Sequence, residues 1–327
     1  MYLKNHHKFV SRVIATVLLL LLIAWVLTSK DILVNQPQIF QVKSGSSMGE
    51  VAQELSDRQI IKSKKFFATV SRLLNANKNL KSGYYELKPD TSIFDFIGQI
   101  SSGEVLKTKV TLIEGKTIQY YFQQLNKDPS ITPNESFDNV MASIGIQEPY
   151  DGWFFPETYI FNYGESIENV LKKSHETMKL KLAELWKNRD TSIPLDSPYQ
   201  AIILASLIEN ETALDKEKPM ISSVFIGRLN SNMRLQTDPT VIYALGDQYS
   251  PPLTRSDLQF DHPYNTYRNK GLPPGAISSV GYQSLFAALH PAKGNDLYFV
   301  SKKDGSHAFA KTYDEHKENI KKYLKVN

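Results

Sequence analysis

The sequence predicts an α+β protein: one N-terminal transmembrane helix, small strand–helix units after it, and a mixed α/β domain around one buried helix. Three observations predict this. Val13–Ser29 (VIATVLLLLLIAWVLTS) runs for 17 residues without a charge, near the short end of what spans a bilayer. Val42–Leu55, Leu87–Ile100 and Leu112–Leu125 repeat one pattern: an extended lead, a turn residue, a hydroxyl, then apolar positions at helical spacing. Ala201–Thr212 (AIILASLIENET) is apolar up to Glu209 except for Ser206, and it closes on two carboxylates.

With 327 residues the chain can bury a sizeable core and hold more than one domain. Its net charge of +4 and the lack of a basic stripe interleaved with aromatics argue against nucleic acid as a partner. The chain has no cysteine, which excludes disulfides, thiolate metal sites and cysteine nucleophiles.

Taken in order, residues 1–12 carry Lys4, Lys8 and Arg12 and no acid. Basic residues before the apolar run orient it with the N-terminus in the cytoplasm and the rest outside. Trp25 falls near the outer end, where an interfacial ring is favoured. No small-x-small cleavage site follows, so the run reads as a retained single-pass anchor in the cytoplasmic membrane. The predicted organisation is therefore 1–12 cytoplasmic, 13–29 membrane anchor, 30–108 strand–helix units and 109–327 a mixed α/β domain.

In the repeated units the turns fall at Gly45, Asp90 and Gly115. Ser47 with Glu50 and Ser92 with Asp95 have capping-box spacing, and Thr117 is a third cap. The first unit and its continuation through LKSGYYEL (Leu80–Leu87) resemble a LysM-type module. That resemblance implies a glycan-facing protein. Gly152–Phe161 (GWFFPETYIF) reads as a turn leading into an aromatic strand. Rings stacked on sugar faces and a packing cluster between lobes account for it equally well. Ile167–Trp186 is an amphipathic helix with lysines on its solvated face, and 187–198 is a loop. Pro219–Leu229 starts another helix. Leu297–Val300 and Ala308–Ala310 form a hairpin across Asp304–Gly305, and Tyr313–Leu324 is a final amphipathic helix.

Between these elements lie RLQTDPTVIYALG (Arg234–Gly246), YNTY (Tyr264–Tyr267) and GLPPGAISSVG (Gly271–Gly281). They lack periodicity and combine Pro and Gly with Tyr, Asn, Gln and Asp. Such loops suit a cleft with flat apolar faces and polar rims. Glu209 and Glu211 are about 200° apart around a helix and cannot share a face. A carboxyl at the C-terminal end of a buried helix meets the negative end of the dipole and loses solvent. Both effects favour the protonated form of a general acid.

The combination of LASLIENET, VFIGRLNSNMRLQTDPTVIYALG, YNTY, GLPPGAISSVG and ALHPAKGNDLYFV resembles the endolytic murein transglycosylases of the MltG (YceG-like) family over residues 30–325. The aromatic turn of that family, PDTY, is PETY here (Pro156–Tyr159). The resemblance implies a lytic-transglycosylase-like helix carrying one catalytic acid. It implies a membrane-anchored enzyme that cuts peptidoglycan glycan strands internally, beside peptidoglycan synthases (penicillin-binding proteins). Such enzymes cleave between N-acetylmuramic acid and N-acetylglucosamine without water. The muramyl C6 hydroxyl attacks its own anomeric carbon and leaves a 1,6-anhydro end. One carboxyl serves as acid and then base, where most glycosidases use a pair.

Glu211, followed by Thr212 as in the Glu-Ser pairs of other lytic transglycosylases, is the expected catalytic residue. Gln236, Thr237, Asp238, Tyr243, Asn265 and Tyr267 are expected to bind substrate, with Glu209 as a supporting acid. His262 and His290 lack metal-ligand spacing, so neither a metal nor a cofactor is expected. Two rivals stand beside this reading, a lysozyme-like hydrolase using the same glutamate and a non-catalytic glycan-binding scaffold.

Overall fold

The computed structural model describes residues 12–14, 16, 17 and 32–324. The anchor expected at Val13–Ser29 therefore lies, apart from Val13, Ile14, Thr16 and Val17, outside the described residues. Among those described, no helix is long and apolar enough to cross a membrane. The chain divides into two compact units, the first running to Thr108 with Ile160–Gly164 added, the second comprising Lys109–Tyr159 and everything from Glu165.

In the first unit, β1 (Gln38–Val42) leads into α1 (Met48–Asp57) and α2 (Lys64–Leu73), and the chain returns through β2 (Gly83–Leu87) to α3 (Ile93–Ser102). The strands pair antiparallel, with Gln38 opposite Leu87 and Val42 opposite Gly83. Alternation puts Phe40, Val42, Tyr85 and Leu87 on the buried face. There Phe96 of α3 meets Phe40 edge-on at 5.8 Å and Tyr85 at 6.2 Å. Both expected capping boxes form. Ser47 and Glu50 satisfy each other's backbone N–H groups at 3.2 and 2.7 Å, and Ser92 and Asp95 do the same at 3.1 and 3.3 Å. Helix α2 was not legible in the sequence as an element of its own.

Next come β3 (Lys107–Thr111), α4 (Ile118–Lys127), β4 (Ile131–Thr132), α5 (Phe137–Ile144), β5 (Thr158–Asn162), β6 (Glu165–Ser166) and α6 (Ile167–Lys187). They are followed by α7 (Pro198–Glu211), α8 (Lys218–Asn230), α9 (Asp238–Leu245), α10 (Tyr282–Leu289), the β7 (Tyr298–Ser301)–β8 (His307–Ala310) hairpin and α11 (Tyr313–Leu324). Strand β3 pairs with β5, and β4 runs parallel to β6. Each of these sheets has two strands, and the repeated strand–helix units do not build a common sheet. Thr117 caps α4 by accepting from the Tyr120 N–H at 3.3 Å.

Helix α7 is the centre of the second unit. Every residue from Ala201 to Ile208 is buried, so no face of α7 is amphipathic. It packs against α6, α8, α9 and α10, and its apolar residues share one core with Phe225 of α8 and Leu285 of α10. Two stretches read as loops are partly regular or interior. Asp238–Pro239 begins α9, since proline fits a first turn where no helical N–H is needed. Ala276–Val280 is buried residue by residue and lines the core, not a rim. In the aromatic turn, Phe154, Phe155 and Tyr159 are buried, and the Tyr159 and Ser174 hydroxyls both donate to the Phe155 carbonyl. Packing, within the second unit, accounts for those rings.

Candidate active site

Because α7 is enclosed along its length, its side chains can reach a ligand only from its ends. At its start, Ser197 accepts from the Gln200 N–H at 3.3 Å and Pro198 occupies the first turn. At its other end three polar residues diverge, as the 100° step of a helix requires. Asn210 donates to the Ser206 carbonyl and to the Ser278 hydroxyl, each at 2.8 Å. The Oε2 of Glu209 accepts from the Gly281 N–H at 3.0 Å, while its Oε1 lies 3.5 Å from the Lys218 ammonium. Both side chains of that pair are over nine-tenths buried, 8 % and 4 % exposed. Glu209 is thus held inside the protein, beside a lysine that also pairs with Asp215 at 3.1 Å.

Glu211 is only partly buried, and its Oε1 accepts a hydrogen bond from the Thr237 hydroxyl. Loss of water around its carboxyl raises its pKa to about 7, and the nearby charge of Asp238 pushes the same way. The Thr237 hydrogen bond and the neighbouring His307 and Arg228 side chains oppose the rise without cancelling it. Half-protonated at neutral pH, this carboxyl can both give and take a proton. Thr237 occupies one oxygen, so the other is left for the transferable proton.

The support behind Thr237 is a knot of buried hydroxyls. The Thr237 N–H donates to the Thr266 hydroxyl at 3.0 Å, the Thr240 hydroxyl donates to the Thr237 carbonyl at 2.7 Å, and the Thr240 and Thr266 oxygens lie 2.9 Å apart. Gln236, exposed beside them, has a φ of 49° and donates its N–H to the Thr266 carbonyl at 3.2 Å. A left-handed backbone at a residue with a Cβ costs on the order of 1 kcal/mol, which this knot offsets. The Tyr267 hydroxyl donates to Asp238 at 2.6 Å, and burial beside Asp238 pushes its pKa upward.

Thr237, Asp238 and Tyr267 therefore gather at Glu211, with Gln236 next to Thr237 in the chain. Two other expected residues do not. Asn265 is fully buried; its amide donates to the Leu258 and Phe260 carbonyls at 3.2 and 2.7 Å, and its oxygen accepts from the Tyr267 N–H at 2.9 Å. It shapes the YNTY turn from inside. Tyr243 points elsewhere, donating to Asp151 at 2.7 Å. Sequence reasoning missed Thr240, Thr266, Arg228 and His307. Arg228 is buried and donates to the Leu297 and Leu235 carbonyls at 2.7 and 2.5 Å. His307 pairs with Glu217 at 2.8 Å. An arginine within the apolar run VFIGRL was the one available signal for Arg228; Thr240 and Thr266 left none, their partners lying 26 residues apart.

Among the described residues, no group of three or more histidine or acidic side chains is arranged to hold a metal. His262 stacks on Phe260 at 5.8 Å and His290 on Phe286 at 4.3 Å.

The chain is 32% identical over 314 residues to the endolytic murein transglycosylase of Bacillus subtilis (strain 168), covering 86% of this chain and 84% of that one. It is 25% identical over 323 residues to the endolytic murein transglycosylase of Streptococcus pneumoniae serotype 2, of whose length it spans 58%. A crystal structure of a YceG-like protein from Listeria monocytogenes superposes with a TM-score of 0.56 at 30% identity, covering 87% of this chain and 99% of that one. Residues 40–322 match the YceG-like family, and the chain belongs to it.

Proposed function

We propose that this protein is an endolytic murein transglycosylase: a lyase that cleaves peptidoglycan glycan strands internally and leaves 1,6-anhydromuramyl ends. The observation that carries the chemistry is the Glu211 carboxyl, held at the edge of a buried helix with a pKa of about 7. Its protonated oxygen donates to the glycosidic oxygen as the bond to the anomeric carbon breaks. The resulting carboxylate then accepts the proton of the muramyl C6 hydroxyl as that oxygen closes on the same carbon. One group returns to its starting state, and water does not enter the product. Asp238, fixed by the Tyr267 hydroxyl, supplies negative charge for the positive charge that develops at the anomeric carbon.

The β–α–α–β arrangement over 38–87 supports reading the first unit as a LysM-like glycan-binding module that holds the strand for the second unit. The basic flank and uncharged run at the N-terminus support a single-pass anchor in the cytoplasmic membrane, with the catalytic unit outside and near the synthases that make the strands. A mature chain beginning near residue 30 would overturn the anchor.

The test of the chemistry is Glu211→Gln, which keeps shape and hydrogen-bonding reach but removes the transferable proton. Cleavage of purified glycan strands should fall by roughly 10²–10⁴-fold, while Glu209→Gln keeps substantial activity. A folded, inactive Glu209→Gln beside an active Glu211→Gln would assign the chemistry to the other carboxylate. Heavy-oxygen label from water at the new ends would make the enzyme a hydrolase.

A further inference from the structure

We propose that a cavity lined by Phe137, Glu148, Tyr150, Asp151, Tyr243 and Tyr264 binds an alkylammonium group carried on the peptide arm of the glycan strand; this rests on the peptidoglycan substrate proposed above. The cavity has a volume of about 470 Å³. Two ring pairs contribute to its walls, Phe137 edge-on to Tyr150 at 5.6 Å and Tyr243 tilted against Tyr264 at 4.9 Å. Two carboxylates share the lining with them, and no lysine, arginine or histidine does. Aromatic faces and carboxylates without a resident cation are the pairing that selects an ammonium group.

The charge balance of the protein itself makes the case. Asp151 is 7 % exposed. Its oxygens accept from the Ile118 N–H and the Tyr243 hydroxyl, both at 2.7 Å, but among the described residues it has no ion pair. Glu209, similarly buried, has Lys218 beside it. An enclosed carboxylate without a counter-charge is costly, and burial accordingly pushes the Asp151 pKa upward. The two hydrogen bonds, one of them from the first turn of α4, compensate that charge only in part, and a neutral sugar ring would add nothing; an ammonium group would neutralise it.

The cavity is also within reach of the reaction. Helix α9 begins at Asp238, beside Glu211, and presents Tyr243 to the cavity five residues later, roughly 7.5 Å along the axis. A substituent on the strand being cut can therefore occupy it. A strand whose arms carry free amines would be held there, whereas one whose amines have been converted to cross-linking amides would not.

The test uses the full chain carrying Glu211→Gln, so that probes are bound and not cleaved. Three probes are titrated by calorimetry: a muramyl disaccharide–tripeptide ending in lysine, the same compound with its lysine amine acetylated, and the disaccharide alone. Acetylation should raise Kd by about fivefold to tenfold. Adding Glu148→Lys, an exposed position where a new cation meets the same cavity, should abolish that difference. Equal Kd for the free and acetylated amines overturns the proposal, as does failure of the amine probe to bind at millimolar concentration. A disaccharide that binds as tightly as the amine probe assigns the cavity to sugar and overturns it too. Cleavage of glycan strands by the unsubstituted chain is measured alongside: its absence defeats the proposed function, while cleavage without amine preference defeats only this inference.

Discussion

At the scale of single residues, Glu211 sets a conflict between stability and chemistry. Its pKa lies near 7 in the folded protein and near 4.5 when exposed, so folding disfavours its charged form. The sign follows. Below pH 4.5 the carboxyl is neutral in both states and costs nothing. As pH rises toward 7 the unfolded chain releases its proton first, and the folded state loses up to roughly 3 kcal/mol. Glu211→Gln should therefore be more stable than the parent at pH 8, with the gain fading as pH falls from about 7 and gone by pH 4.5, as urea melts across that range will read. The proposed chemistry gives catalysis the same midpoint. The first step needs the protonated acid, so kcat/KM should decline as pH passes upward through about 7 and be flat at that limb in Glu211→Gln.

At the scale of elements, the end of α7 depends on a buried ion pair. Lys218→Met should leave the buried Glu209 without its cation, lowering stability by about 3–5 kcal/mol, and adding Glu209→Leu should restore part of the loss, since the Gly281 N–H then goes unpaired. Denaturant midpoints of the two variants will check this. Ser47→Ala and Ser92→Ala should each cost the first unit about 1 kcal/mol. How far such features could be read beforehand follows from their range. The caps were legible because donor and acceptor lie three residues apart, and α7 because an uninterrupted apolar run permits little else. The knot that fixes Thr237 was not legible, since it joins Thr240 to Thr266 and neither residue's neighbours advertise a partner. Ala276–Val280 misled for a related reason. Proline and glycine around it signal a turn, while its burial comes from α7, seventy residues earlier.

At the scale of the molecule, the proposed function gives the chemistry to the second unit and strand capture to the first. Deleting residues 38–105 should therefore lower activity on polymeric glycan more than on short oligosaccharides. Continued cleavage of the short substrates would show that the catalytic unit had folded, and an equal loss on both would remove the binding role. The site residues that came together, Gln236 through Asp238 with Tyr267, come from two segments about thirty residues apart. The expected residues that did not join them are those whose polar atoms the fold had already engaged, Asn265 with backbone carbonyls and Tyr243 with Asp151.

A helix buried on every side has a further consequence for any ligand. The amides of α7 can exchange with solvent only when the surrounding core opens, so their exchange should be among the slowest in the second unit. The acid at its end is held by the Thr237 hydroxyl before anything binds. An inhibitor that engages Glu211 through a basic nitrogen would meet a preset partner and lose little affinity to ordering the protein. Its binding entropy would report on the inhibitor's own stiffness, and rigid ring scaffolds should outperform flexible chains of equal contact area.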